Sequence, residues 1–493
     1  MLTITILNHK TCQIATEDLS FLKSLKYKLS FKIVGAKYQQ YRNNWDGTIH
    51  LLSKSNQFSI GLLNEVKQFC KNKDIEYEIK DNRTYTITDN PNSLNITNKL
   101  KELNIEPRDY QLQALEKVKD YKYGILKMAT GSGKTLVSCL IAAYFNQNIN
   151  IYVIGLNLLQ QFYDLFCKIF GEDLVGYVGN GICKISKFNI ISIFTAGRAL
   201  NIDKKELTRL EEDDIEETFE ETDKEKIINC IKSSKIFLLD ESQSCKTTTV
   251  GKILKHSPNV EIILGMSGTP YSDLDEDLLA TKSVLGEKII DITASYLIKQ
   301  NVLVKPYIYF ISVPKQKAIG ETYQEIYSEY VVNNKDRNAL IVQNAKKLLK
   351  SGYAPLVLFR VIKHGDILAE LFEQENIRYG LLSGKDELEQ RLEVINQFNN
   401  KEIDIILSSS IFQTGVDIPS LSALINCSGG KSYTVNIQKV GRVIRSFPNK
   451  KKAIIIDFAD QCKYLKDHSK KRLSIFQDEP EFEITIPGIM VKK

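Results

Sequence analysis

The segment from Tyr123 to Phe145 constrains the fold more than any other part of the chain, because three patterns follow one another in it. The letters YGILKM are typical of a short buried strand, ATGSGKT of a loop of small residues, and LVSCLIAAYF of an apolar helix. A glycine-rich loop between a strand and a helix N-terminus is a setting in which backbone N–H groups bind phosphate. The segment therefore predicts an α/β domain that binds a nucleotide.

The end of this loop offers charged and polar groups to such a ligand. Lys134 places an ammonium near the outer phosphates, and Thr135 offers a hydroxyl to Mg²⁺. The usual pattern has a glycine five residues before Gly133, where this chain has Met128. A chance match is the alternative, and the strand and helix on either side argue against it. The remaining loop residues expected at the phosphates are Thr130, Gly131, Ser132 and Gly133.

A second acidic element follows in IFLLDESQS. Asp240 ends an apolar strand, where its carboxylate can hold Mg²⁺, and Glu241 is placed to polarise an attacking water. A surface pair in a turn is the alternative. An apolar strand followed by Asp-Glu, about a hundred residues after Gly-Lys-Thr, favours the nucleotide site.

The stretch PRDYQLQAL lies ahead of the loop and offers groups to a base. Tyr110 is predicted to stack on the base, and the amide of Gln111 matches the N6 and N7 edge of adenine. Taken alone, Gln111 fits a helix surface equally well. Arg108 begins this stretch and is grouped with the same nucleotide-binding residues.

Composition bounds the class of protein. The 493 residues suffice for about three domains. The contents of 43% hydrophobic and 26% charged residues are those of a soluble globular protein, and no apolar run approaches the ~20 residues of a membrane span. The start lacks a secretory signal, so we expect a cytoplasmic protein without a membrane partner. The nine cysteines include no C-x-x-C pair, which predicts reduced, mostly buried thiols.

The charge is unevenly distributed along the chain. The net charge is +6, yet residues 211–225 contain ten acidic residues and one lysine. The remainder is therefore strongly basic, which suits a polyanionic partner. The acidic run is expected to be a solvated helix or loop; a nucleic-acid mimic that controls access is the alternative.

Strand and helix patterns divide the chain into three parts. Residues 1–95 mix alternating strands, among them TYTIT at residues 84–88, with a helix at LNEVKQFCKNKD, which predicts a small α+β domain. Residues 96–300 and 301–493 each alternate continuous apolar strands with helices. That alternation is typical of parallel sheets buried on both faces.

Six segments resemble, in the same order, the motifs of superfamily 2 helicases: PRDYQ, ATGSGKT, DESQ, SGTP, IILSSSIFQTGVDIP and QKVGRVIR. They extend from Arg108 to Arg445. The amino-terminal segment NNWDGTIHLLSKSNQFSIGLLNEVKQFC resembles more narrowly the recombination helicases of phages. The resemblance implies two tandem RecA-like domains behind the small α+β domain, with ATP and Mg²⁺ as cofactors.

The resemblance also implies roles for single residues. Arg442 and Arg445 match the arginine fingers, and two guanidiniums three residues apart on one helical face can point at one anion. A basic helix face on the surface is the alternative. The other matches are nucleotide-facing for Gly415 and Asp417, and coupling for Ser267, Thr269 and Gln438. In such a motor we expect ATP between the two RecA-like domains, so that each cycle opens and closes a cleft.

Contacts to nucleic acid follow from the same resemblance. They are expected at Thr195, Arg198, Arg360, Ser408 and Ser409, through backbone phosphates and without base readout. The accessory domain adds Lys37 and Arg42 beside Trp45, a basic and aromatic mixture suited to branched DNA. A core role for Trp45 is the alternative. Gln243 stands where relatives often have His, which leaves open how hydrolysis is coupled to movement.

These residues predict an ATP-dependent DNA helicase or translocase that acts on forked, branched or single-stranded DNA, with recombination or replication proteins as further partners. An RNA helicase is the alternative within the class, because both kinds share the ATP machinery. An ATP-gated binding or annealing module is the alternative outside it. Glu241 and the paired arginines argue against that module.

Overall fold

The structure is a computed structural model, and it describes residues 2–32, 47–87, 93–202, 221–245, 247–270, 275–315, 320–383, 386, 388–409 and 418–486. These residues form two compact units. The first contains the described residues up to Met128 and those from Gly133 to Asp291. The second contains the described residues from Ile292 onward, together with Ala129–Ser132.

A four-stranded sheet opens the first unit, in the order β5-β2-β1-β6. β1 pairs antiparallel with β2 and parallel with β6, and alternate residues of β1 are buried. The first helix begins where the Asp18 side chain accepts a hydrogen bond from Phe21 N at 2.9 Å. The elements are β1 (Leu2–Ile6), β2 (Thr11–Ala15), α1 (Leu19–Lys28), β3 (Ser30–Lys32), β4 (Thr48–His50), β5 (Gln57–Ser59), α2 (Leu63–Asn72) and β6 (Tyr77–Asp81).

The prediction of a strand at residues 84–88 is wrong over its described part, which is irregular. The backbone N–H groups of Thr86 and Ile87 donate to the carboxylate of Glu261, at 2.8 and 3.0 Å, rather than to a neighbouring strand. Glu261 belongs to the following α/β region and is only 6% exposed. The segment therefore joins the small domain to the sheet behind it.

An eight-stranded sheet forms the rest of the first unit, in the order β10-β9-β11-β8-β12-β13-β7-β14. The neighbours from β9 to β7 along this order are parallel, and the central strands are buried on both faces. Its strands are β7 (Tyr123–Met128), β8 (Ile149–Val153), β9 (Val175–Gly179), β10 (Ile182–Lys184), β11 (Phe188–Ser192), β12 (Ile236–Leu239), β13 (Ile262–Ser267) and β14 (Lys288–Ile292). Its helices are α3 (Thr97–Glu102), α4 (Asp109–Tyr121), α5 (Lys134–Phe145), α6 (Leu156–Phe170), α7 (Ile193–Ala199), α8 (Glu221–Ser233), α9 (Thr247–Lys255) and α10 (Asp275–Leu285).

The order β12-β13-β7 brings three predicted motifs to one edge of this sheet. The phosphate loop follows β7, Asp240 follows β12, and Ser267 ends β13. Because the strands are parallel, their carboxyl ends meet at the same edge. The fold therefore brings residues far apart in sequence to one site.

A seven-stranded sheet is the centre of the second unit, in the order β17-β18-β16-β19-β20-β15-β21, and all its pairs are parallel. Its strands are β15 (Lys305–Ser312), β16 (Pro355–Phe359), β17 (Tyr379–Leu382), β18 (Ile405–Ser409), β19 (Ala423–Asn426), β20 (Lys452–Ala459) and β21 (Glu483–Thr485). Its helices are α11 (Ala294–Lys299), α12 (Tyr323–Tyr327), α13 (Lys335–Lys350), α14 (Ile362–Gln374), α15 (Leu388–Asn399), α16 (Tyr433–Val443) and α17 (Lys463–Gln477).

The predicted fold class is confirmed, with a small α+β domain ahead of two parallel-sheet regions. The expectation for the cysteines is also confirmed, since all nine are free thiols and seven of them are buried. Among the described residues, no helix combines the length and the apolar character needed to cross a membrane.

Candidate nucleotide-binding site

The phosphate loop runs from the end of β7 to the first turn of α5. Gly133 caps α5 with φ +81°, in the left-handed region that favours glycine. The side-chain amide of Gln111 lies against the same glycine, where a Cβ atom would collide with its nitrogen. The backbone conformation therefore favours glycine immediately before Lys134, and a larger residue there would also displace the Gln111 amide.

The ammonium of Lys134 meets two carboxylates at the end of β12. Its Nζ lies 2.8 Å from Oε1 of Glu241 and 4.0 Å from Oδ1 of Asp240. The three side chains are between 3 and 16% exposed, so solvent screens these charges only partly. Glu241 has φ +47°, a left-handed conformation that is uncommon for a non-glycine residue and often marks a functional site.

Asp240 is the most deeply buried acid of this group. Burial raises its pKa to about 7, Lys134 opposes the rise, and the neighbouring charge of Glu241 adds to it. Its Oδ1 atom is buried and accepts no hydrogen bond within the described protein. A buried carboxylate oxygen without a hydrogen-bond donor, together with the hydroxyl of Thr135 in the first turn of α5, is a donor set that suits Mg²⁺.

A line of hydrogen bonds leads from Glu241 to the SGTP segment. The side-chain nitrogen of Gln243 donates to Oε2 of Glu241, and its oxygen accepts from the hydroxyl of Ser267. The hydroxyl of Ser267 in turn accepts from the backbone N–H of Thr269 at 2.8 Å. An amide can donate and accept at once, so Gln243 connects the two motifs in a single step.

The residues ahead of the loop are placed differently from the prediction. Gln111 Oε1 accepts from the backbone N–H of Arg108 at 2.9 Å, which caps the start of α4. Tyr110 is only 2% exposed, so its ring has no open face for stacking, and the prediction of a base-stacking ring is wrong for this structure. The ring belongs to the buried face of α4, which also includes Ala114 and Val118 at helical spacing. Gln111 lies against the phosphate loop, and its contact with adenine stays a prediction.

The predicted arginine pair lies at the end of α16 in the second unit. Gln438 and Arg442 belong to the helix, whereas Arg445 follows its C-cap residue Ile444 and forms an isolated bridge with Leu303. The expectation that both arginines share one helical face is therefore wrong, because the chain leaves the helix between them. Both are partly buried.

The predicted nucleic-acid contacts differ in exposure. Arg360 is exposed at the end of β16, and Arg198 is half-buried in α7. Thr195, Ser408 and Ser409 are at most 3% exposed. Their side chains therefore offer little surface to a strand in this structure.

Several predicted residues lie outside the part of the chain that the structure describes. They are Lys37, Arg42, Trp45, Gly415, Asp417 and most of the acidic run 211–225. Their roles stay predictions.

Lys439 is a residue that the motif analysis missed. It is 2% exposed, and its ammonium donates to Asn426 Oδ1 at 3.1 Å, Ser428 Oγ at 2.7 Å and Gly429 O at 3.1 Å. It thereby holds α16 to the loop after β19. The sequence does carry a signal, because Lys439 falls at helical spacing with the buried Asn436 and Val443.

Sequence models of three families match the chain. The model of the DNA helicase UvsW N-terminal domain matches residues 3–80, that of the type III restriction enzyme res subunit residues 104–272, and that of the helicase conserved C-terminal domain residues 323–447. The three matches follow one another without overlap. They cover the small domain and both parallel-sheet regions.

Whole-chain relatives agree with these matches. The ATP-dependent DNA helicase UvsW of Enterobacteria phage T4 is 25% identical over 90% of this chain and 88% of its own. Helicase 22 of Sulfolobus islandicus filamentous virus is 28% identical over 78% of this chain and 69% of its own. The solved structure of S. cerevisiae Dbp5 bound to RNA and ADP BeF3 aligns with a TM-score of 0.55 at 14% identity, over 81% of this chain and 94% of that one, and supports the RecA-like fold alone. The chain is thus a superfamily 2 helicase that resembles the phage helicase UvsW.

Proposed function

We propose that the chain is an ATP-dependent DNA helicase or translocase that unwinds or branch-migrates forked and recombination intermediates. The observation that carries the proposal is the hydrogen-bonded line from Lys134 through Glu241 and Gln243 to Ser267. It connects the phosphate loop to the segment that resembles the coupling motif of the family. The relationship to a DNA helicase over most of both chains supports DNA as the substrate.

Nucleotide binding changes the partners of Glu241 in this proposal. One of its oxygens is occupied by Lys134 and the other by Gln243. When Lys134 turns to the β and γ phosphates, Oε1 is released and can accept a proton from the attacking water. Lys134 therefore keeps Glu241 from acting as a base until a bound triphosphate draws the ammonium away.

Mg²⁺ would be held by Asp240 and Thr135, with the remaining positions left to phosphate and water oxygens. When bound, it would neutralise charge on the phosphates. Among the described residues no cluster of three or more acidic, histidine or cysteine ligands forms a metal site. That agrees with a magnesium ion that depends on its nucleotide.

The other nucleotide contacts are proposed from the family motifs. The backbone from Thr130 to Gly133 would bind the phosphates, and Gln111 would read adenine. Arg442 and Arg445 would stabilise the charge that develops on the γ-phosphoryl group. Gln438, Gly415 and Asp417 complete the predicted set.

The three-part domain organisation completes the proposal. Residues 1–95 would recognise branched DNA, which the match to a UvsW N-terminal domain supports. Residues 96–300 would bind ATP, and residues 301–493 would form the second half of the motor.

The proposal is tested by steady-state ATP hydrolysis with single-stranded, forked and four-way DNA and with duplex RNA. We expect the largest stimulation by forked or four-way DNA. Stronger stimulation by duplex RNA would favour the RNA helicase instead. Hydrolysis that no nucleic acid stimulates would contradict both.

A further inference from the structure

A basic and aromatic surface lies at the carboxyl end of the second sheet, on elements outside the family motifs apart from Arg360. Its exposed or half-exposed residues follow the ends of β16 and β19, occupy α17 or begin α12. We name it the Arg360 patch and define it by Arg360, Lys431, Lys463, Tyr464, His468 and Tyr323.

His468 and Tyr323 form the centre of the Arg360 patch. Their ring centroids lie 5.1 Å apart. The pKa of His468 is lowered first by burial and then by the positive charges of Lys431, Arg472 and Arg360, so these cations converge on one imidazole. Asp467 is the acidic neighbour that opposes them. The Nδ1 atom of His468 is buried and has no hydrogen-bond partner in the described protein.

Tyr464 and Lys463 extend the patch toward solvent. The hydroxyl of Tyr464 donates to the backbone carbonyl of Glu321 at 3.0 Å, which fixes a ring that is 38% exposed. The ammonium of Lys463 lies 4.9 Å from the centre of that ring. The nearby carboxylate of Glu325 is engaged in capping its own helix and accepts from Glu321 N at 2.9 Å.

A buried ionic network holds the patch in place. Arg472, four residues after His468 on α17, pairs with Asp457 at 2.8 Å and donates to Gly430 O at 3.0 Å. Gly430 precedes Lys431, so one buried guanidinium fixes both the helix that carries His468 and the loop that presents Lys431. The backbone that carries Lys431 and His468 is thereby held in place before any ligand binds, which lowers the entropic cost of binding.

We propose that the Arg360 patch binds the phosphate backbone of a single nucleic-acid strand, with Tyr464 beside a base. The cations supply the charge that phosphates require, and an exposed ring held in place suits base stacking. The inference rests on the proposed function and deepens it, because it places strand contacts on Lys431 and α17.

The test uses the full chain and a fluorescein-labelled single-stranded DNA oligonucleotide, with affinity measured by anisotropy across a series of salt concentrations. Lys431→Ala is expected to weaken binding and to reduce the slope of log affinity against log salt by about 1, as for one lost phosphate contact. Tyr464→Ala is expected to weaken binding without changing that slope. ATP hydrolysis without DNA should stay at the wild-type rate in both.

Lys470→Ala is the matched control. Lys470 is exposed on the same helix. Because it follows His468 by two residues, its side chain leaves the helix about 200° around the axis from that of His468. We expect it to leave affinity and slope unchanged.

The inference would be overturned if the wild-type chain bound DNA and the Lys431→Ala/Tyr464→Ala double variant bound it with the same affinity and the same salt slope. The proposed function would still stand. A wild-type chain that neither binds nor responds to DNA would overturn both. Melting temperatures measured with and without inorganic phosphate distinguish a site for free anions from a site for a nucleic-acid strand. If Lys431→Ala abolished a phosphate-dependent rise in melting temperature but kept the wild-type affinity for DNA, the assignment to a strand would be wrong.

Discussion

Side chains that follow β12 connect the DESQ segment to the SGTP segment, and Gln243 makes the connecting hydrogen bonds. It donates to Glu241 and accepts from Ser267, so it connects the two motifs. In the sequence, Gln243 differs from the His that relatives often have at this position. The structure shows that an amide performs both halves of the connection.

We predict that Gln243→Met separates hydrolysis from stimulation by DNA. Methionine has similar length but cannot donate a strong hydrogen bond, so the link between Glu241 and Ser267 is lost. Basal ATP hydrolysis should persist while stimulation by forked DNA falls severalfold in steady-state assays. Gln243→His restores a donor and an acceptor and is expected to recover stimulation. Equal stimulation in Gln243→Met and wild type would rule out the relay.

Lys134 and Glu241 give a second prediction at this scale. Lys134→Ala removes the ammonium that we propose binds the phosphates, and it is expected to lower the rate of hydrolysis roughly 100-fold or more. Glu241→Gln removes the proposed general base and should lower the rate of hydrolysis by about 10²–10⁴ while nucleotide binding is retained. Fluorescent-nucleotide titration beside the rate measurement separates the two effects. Normal turnover by Glu241→Gln would mean that another group is the base.

Elements rather than residues explain how the small domain is attached. Lys10, next to β2, donates through Nζ to the carbonyls of Leu254 and Ser257 at 2.9 and 2.7 Å, at the end of α9. Glu261, just before β13, accepts from the irregular segment that contains Thr86. The small domain is therefore fixed to the ATP-binding region by groups that are partly or fully buried.

The acid sensitivity of this attachment follows from Glu261. Burial raises the pKa of its carboxyl, but the hydrogen bonds from Thr86, Lys235 and Ile87 outweigh burial and hold the pKa below the usual 4.5. A carboxyl group whose pKa folding lowers stabilises the native state above the unfolded-state value. That stabilisation is lost as the pH falls through the folded-state pKa.

We predict that Glu261→Gln lowers the free energy of unfolding at pH 7 by about 1–3 kcal/mol, because buried donors lose a charged acceptor. The difference from wild type should shrink as the pH falls below 4.5. Denaturant unfolding at pH 7 and at lower pH measures both. Glu76→Gln, at an exposed position of the small domain, is the control and should change little. A constant difference at all pH values would contradict the assigned role of the carboxylate.

Deletion of residues 1–87 tests the attachment as a whole. It leaves the carboxylate of Glu261 and the carbonyls of Leu254 and Ser257 without the partners that the small domain supplies. We expect a lower midpoint of thermal unfolding for the remaining chain, by several degrees. An unchanged midpoint in calorimetry would show that these contacts contribute little to stability.

At the scale of the whole molecule, the architecture was predictable because buried parallel strands are continuous apolar runs. Segments such as Ile236–Leu239 and Pro355–Phe359 are apolar throughout and buried throughout. The motif order then placed the phosphate loop and Asp240 at strand ends, where the structure has them.

The rest depended on contacts between residues distant in sequence, which no local pattern encodes. The segment at Thr86 has strand-forming residues, but the backbone N–H of Thr86 donates to the carboxylate of Glu261, 175 residues away, and not to a neighbouring strand. Tyr110 was predicted as a stacking ring and is instead part of the interior. The loop before Lys431 is held by Arg472, 42 residues from Gly430. Such partners are visible only once the chain is folded.

Strand displacement on a forked DNA duplex, with ATP and Mg²⁺, tests the central claim that hydrolysis at Lys134 and Glu241 drives DNA remodelling. The account predicts displacement by the wild-type chain, none by Glu241→Gln, and binding of the fork by both. Displacement by Glu241→Gln at the wild-type rate, or fork-stimulated ATP hydrolysis by the wild type with no displacement or branch migration, would contradict it.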